Sequence, residues 1–168
     1  DGFQFSVKAS RYITHMKKLK DPREPVANFM DSAGHLGKKM GPVLFQLPPR
    51  WRVNAGRLEK FLDQLPSGIM AVFEFRDDSW WNDRVYSILR DFGAAFCIYH
   101  LAGRESPREL TADFVYIRLH GPGDAYQGRY RKEEEIGHRL KALTGTSMEP
   151  EDVVLDLPEN ISFETSFP

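Results

Sequence analysis

Five stretches of this 168-residue chain run through apolar residues and then deliver an ionisable or hydrogen-bonding side chain. Phe5-Ser6-Val7 leads to Lys8, Val43-Leu44-Phe45 to Gln46, and Ala71-Val72-Phe73 to Glu74 and then Arg76. Phe96 to Tyr99 leads to His100, and Val115-Tyr116-Ile117 to Arg118 and His120. Period-two alternation puts Glu74 and Arg76 on one side of their stretch, and Tyr116, Arg118 and His120 on one side of theirs. Arginine's planar fork suits carboxylate and phosphate groups. A carboxylate and an imidazole in one cleft can have their pKa values pushed apart, which makes an acid and a base. The chemistry expected is therefore binding or transformation of a small anion. Lys8, Arg11, Arg76 and Arg118 would form the clamp, and Glu74 and His120 the catalytic acid/base pair. Gln46 ends its strand, and His15 stands beside Arg11 just beyond the first one, so both are expected ligand contacts.

Plainer readings stand beside this one. Glu74 and Arg76 could form a buried ion pair, and Arg118 could join Glu74 in the same role. His100, between Tyr99 and Leu101, has the setting of a satisfied core histidine, and His35 and His138 fall on predicted helices as solvent-facing residues. A metal variant would draw on Glu74, His15, His100 and His120, but no close-spaced ligand motif supports it. No metal or cofactor is expected. Gly121-Pro122-Gly123 offers backbone N–H groups to an anion, weakened by the proline.

Charge leaves a further alternative open. All 23 Lys and Arg lie at or before Lys141, while the residues from Glu149 onward carry six acids and no base, so the first 148 residues hold a net +5. Such a body suits anionic partners, including nucleic acid, with Trp51, Trp80, Trp81 and Tyr130 as stacking platforms. Trp80 and Trp81 are more simply a packing pair at a helix start, and Trp51 a cap on the rim of the fold. One cysteine, Cys97, excludes a disulfide framework and suits a reducing, cytoplasmic compartment. No apolar run approaches the roughly 18 residues of a membrane span, so no membrane partner is expected.

The elements that must position these residues alternate. Strands are expected over 3–8, 42–47, 70–75, 94–99 and 114–119, with a less certain one at Val153-Val154-Leu155. Val26, Phe29, Met30, Ala33, Leu36 and Met40 fall at helical spacing before Gly41, placed as a C-cap. Leu58, Phe61, Leu62 and Leu65 mark a second helix, and Val85, Ile88, Leu89 and Phe92 a third that ends at Gly93. Ile136, Leu140 and Leu143 mark a fourth, near Lys132–Leu143. Strands alternating with helices pair in parallel, as an open doubly wound sheet or a (β/α) barrel. No Gly-rich phosphate fingerprint follows the first strand, which disfavours a dinucleotide fold. The 12 Phe predict a core of bulky rings.

Several strings resemble a known family. Phe5-Ser6-Val7-Lys8 with Arg11 and Ile13-Thr14-His15, then Gly41-Pro42-Val43-Leu44-Phe45-Gln46-Leu47-Pro48-Pro49, resemble motifs of the domain of unknown function 72 (YecE-like) family. Phe73-Glu74-Phe75-Arg76 with Ser79-Trp80, and Val115-Tyr116-Ile117-Arg118-Leu119-His120-Gly121 with Gly128 and Tyr130, follow in the family's order. The resemblance runs from about residue 3 to 143 and implies a TIM-barrel-like (β/α) fold, found widely in bacteria, with no established activity. It adds Tyr130 to the candidate ligand contacts. It also implies that residues 1–145 are a partial barrel lacking its first two strands, and that 146–168 form an acidic tail where the likeness is lost. A full barrel takes about 250 residues. A chain with its first strand left at an open edge is expected to self-associate.

Overall fold

Short apolar runs bounded by Pro and Gly, alternating with amphipathic segments, fold in turn as strand and helix. The structure, a computed structural model, describes residues 3–120, 129–130, 153–156 and 162–163. Its strands are β1 (Phe5–Lys8), β2 (Met40–Gln46), β3 (Ala71–Glu74), β4 (Ala95–Leu101), β5 (Arg104–Glu105), β6 (Val115–Leu119), β7 (Arg129–Tyr130), β8 (Val153–Asp156) and β9 (Ser162–Phe163). The helices are α1 (Arg23–Ala33), α2 (Ala55–Leu62) and α3 (Asp83–Asp91).

The main sheet has the order β1-β2-β3-β4-β6-β8, and every neighbouring pair along it is parallel. A short hairpin turns β5 back antiparallel on the end of β4, while β7 and β9 pair with each other. This is a mixed α/β fold dominated by a parallel sheet. The TIM-barrel-like arrangement expected from the sequence, a partial barrel lacking its first two strands, is not shown, and the sheet is not closed. Closure needs the last strand to hydrogen-bond back to the first, and here β1 and β8 are opposite edges of an open sheet. Val153–Asp156 extends that sheet beside β6, beyond residue 145. The expected helix near Lys132–Leu143, Gly121–Gly123 and His138 lie outside the described residues.

Strand alternation divides the sheet into two faces. Val43, Phe45 and Leu47, Phe73 and Phe75, Phe96 and Ile98, and Val115 and Ile117 pack in one buried cluster with Val26, Leu58, Phe61, Val85 and Leu89 of the helices. Leu44, Val72, Ala95, Cys97, Tyr99 and Tyr116, at the alternate positions, form a second cluster on the opposite face. The rings predicted from the phenylalanine count line the helix side. Phe73 stacks on Phe45 at 5.2 Å and on Phe75 at 6.0 Å, and Phe75 stacks on Trp80 at 5.0 Å.

Helix starts follow local chemistry. The Asn54 side chain accepts from the Arg57 N–H at 3.0 Å to cap α2, and Asn82 accepts from the Val85 N–H at 3.1 Å to cap α3. The first helix ends earlier than its apolar spacing predicts. It passes at Gly34 into a tighter turn, and Gly37, at φ 54°, turns the chain into β2. Met40 and Gly41 are strand residues, so Gly41 is no C-cap. A Cβ there would stand 3.2 Å from the Phe5 carbonyl oxygen and 3.3 Å from Gln4 Cβ, so glycine lets β1 and β2 meet. Phe3 is 67% exposed and Phe5 43%, at the β1 edge.

Candidate functional site

At the carboxyl ends of the parallel strands lies a band of polar side chains on the face opposite the helices. Lys8 ends β1, and its Nζ donates to Gln46 Oε1, at the end of β2, at 2.7 Å. Register places Gln46 opposite Glu74, the last residue of β3. Glu74 is fully buried. Arg118 of β6 donates from Nη1 to Glu74 Oε2 at 2.7 Å, and Arg76, two residues past β3, pairs through Nε with the other carboxylate oxygen. One carboxylate thus carries two guanidiniums, one on each oxygen. The arginine side chains are themselves 10% and 12% exposed.

Arg76 is held from several sides. Its guanidinium lies 4.7 Å from the Tyr99 ring centroid, a cation–π distance. Arg104, on β5, donates from Nη1 to the Arg76 carbonyl at 3.3 Å, pairs with Asp78, and stacks over Trp81 at 5.0 Å. The β4–β5 hairpin is thereby fastened to the turn that follows β3. Asp77 caps this turn, accepting from the Ser79 hydroxyl and N–H, and these bonds hold its carboxyl below the usual carboxylate range. Tyr99 is 2% exposed, and burial pushes its phenol up to about 12.

The loop after β1 brings a second group. Tyr12–Met16 form a π-helical turn closed by the Lys17 N–H on the Tyr12 carbonyl at 2.8 Å, and Lys18 and Leu19 follow with φ of 49° and 64°. Within it, His15 Nδ1 shares a hydrogen bond with Thr14 Oγ1 at 2.8 Å. Burial, then the charges of Arg11 and Lys8, lower the His15 pKa below its ordinary 6.5. An unfolded histidine therefore takes up a proton that the folded one resists. Stability should be full above about pH 6.5 and decline as the pH drops below it. Urea midpoints compared near pH 7 and pH 5, for the parent and for His15→Asn, check this: the variant should lose part of the slope.

A family model described as "Protein of unknown function DUF72" matches residues 1–155. The chain belongs to the DUF72 family. A DUF72 family protein from Thermotoga maritima has a similar fold, with a TM-score of 0.73 at 24% identity over 96% of this chain and 66% of that one. A DUF72 family protein from Enterococcus faecalis gives 0.72 at 16% identity over 95% and 72%. This DUF72 chain thus spans about two thirds of the length of those solved structures. No curated protein matches it.

In this DUF72 chain, Lys8 meets Gln46, and Glu74 meets Arg76 and Arg118, while Arg11 is exposed near His15. His120 follows β6 directly, is buried, and its backbone N–H donates to the His100 carbonyl at 2.8 Å. His100 is buried with the phase of Phe96 and Ile98, toward the helix-covered face, as the core reading of it has it. No group of three His, Cys, Asp or Glu side chains among the described residues could hold a metal ion. His15, His100, His120 and Glu74 are therefore not assembled as the metal variant requires. Two of the stacking platforms are buried. Trp80 is inaccessible and donates Nε1–H to the Trp51 carbonyl at 2.6 Å, and Trp51 packs edge-on against it. Tyr130 lies in β7, and its side chain is outside the described residues. The residue that sequence reading passed over is Tyr99, one position before His100 near the end of the same strand.

Proposed function

We propose that the carboxyl-end face of β1 to β6 binds a small anion bearing a carboxylate or phosphate. The observation that carries this reading is the buried Glu74 carboxylate spanned by two arginines at the strand ends, where parallel sheets bind their ligands. Lys8, Arg11 and His15 add a second cationic group at the end of β1. Both Glu74 oxygens are engaged, so its part is to orient the arginines, and His120 is the group suited to move a proton. The sheet is an arc of a TIM-like barrel in this reading, and the single buried thiol of Cys97 suits the cytoplasm. Among the described residues, no helix is long and apolar enough to cross a membrane.

Calorimetric titration with inorganic phosphate and with succinate tests the site. Arg118→Lys keeps the charge but loses the fork, and should weaken binding by about tenfold. A parent protein that binds neither probe, or a lysine variant that binds as well as the parent, would overturn the reading.

A further inference from the structure

The Tyr99 hydroxyl is buried and has no hydrogen-bond partner among the described residues. Buried polar groups are nearly always satisfied, and an orphan calls for an explanation. Ring packing alone does not supply one. The stack with Arg76 and the contacts with the cluster of Leu44, Val72 and Tyr116 need only the six-membered ring, for which phenylalanine would serve.

Its surroundings are those of the anion site. Register places Tyr99 opposite Arg118 on the neighbouring strand, and its ring carries the Arg76 guanidinium. The Arg76 Nε is spent on Glu74, while its two terminal Nη groups make no hydrogen bond among the described residues. The phenol and the guanidinium stacked on its ring are thus one neutral and one charged donor group without acceptors among the described residues. An oxygen that only accepts is the complement to both. We propose that Tyr99 is a ligand-contact residue whose hydroxyl donates to an anionic oxygen of the ligand, shared with the Arg76 Nη groups; this rests on the anion-site reading above. The raised phenol pKa agrees, because the hydroxyl keeps its proton through the physiological range. The ligand class this selects is a carboxylate or phosphate ester that presents an acceptor oxygen to this pair.

Tyr99→Phe deletes the hydroxyl and keeps the ring. Its melting temperature should equal that of the parent, because no bond within the protein is lost. Its affinity for inorganic phosphate or succinate, whichever the parent binds, should fall about tenfold, the worth of one hydrogen bond to a charged group. Equal affinity in parent and variant would overturn the role of Tyr99 and leave the anion site standing. A variant that melts well below the parent would show that the hydroxyl bonds within the fold, which also overturns it. A parent that binds neither probe removes the site and this role together.

Discussion

Replacing Glu74 with alanine should lower the unfolding free energy by about 3–5 kcal/mol, because it strands two buried guanidiniums without their shared counter-charge. The Glu74 side chain is inaccessible, so water cannot replace it without opening the sheet face. The comparison that isolates the cause is the triple variant Glu74→Leu, Arg76→Met, Arg118→Met. Removing all three charges removes the desolvation cost along with the attraction, and most of the lost stability should return. Urea denaturation with an unchanged slope measures both. A loss under about 1 kcal/mol for Glu74→Ala would mean that the arginines find other partners and that the carboxylate does not organise them.

A comparable loss, again about 3–5 kcal/mol, is expected for Phe73→Ala. Phe73 is inaccessible and sits mid-stack, between Phe45 at 5.2 Å and Phe75 at 6.0 Å, with the edge contact of Phe61 at 6.0 Å. Its removal opens a cavity bordered by the rings of Phe61 from α2, Phe45 from β2 and Phe75 just past β3, and flat, rigid neighbours collapse into such a space poorly. Phe3→Ala is the contrast: at 67% exposed, Phe3 should cost little when truncated. A Phe73→Ala loss under about 2 kcal/mol would show that α2 shifts to refill the space.

The order and direction of the first five long strands were legible because each apolar run is short and punctuated. Pro48-Pro49 stops the run after Gln46, and Gly93 marks the start of the run to Tyr99. The polar ends were legible for the same reason, since Lys8, Gln46 and Glu74 are the last residues of their strands. The phase of β4 was not. Ala95 to Leu101 is buried on both faces, and a strand with no polar side shows no alternation from which to tell Tyr99 from His100. The end of α1 was hidden by Leu36 and Met40, which continue the helical spacing while Gly37 breaks the backbone. The polar strand ends also offered the pairing of Glu74 with both Arg76 and Arg118, but local pattern does not choose it over a catalytic role, because it depends on residues 44 apart in the chain coming together.

The order β1-β2-β3-β4-β6-β8 follows the order in which these strands leave the ribosome. Each new strand of the main path joins the edge left by the one before it, so no insertion between existing neighbours is needed. Pairing each strand with its predecessor on that path avoids the slow pairing of distant segments that retards many sheet proteins. A chain built this way can assemble vectorially, one strand–helix unit at a time, with the nascent edge always at the growing end. The Glu74 carboxylate is synthesised before Arg118, so the ion cluster that organises the site is completed only when β6 has been added.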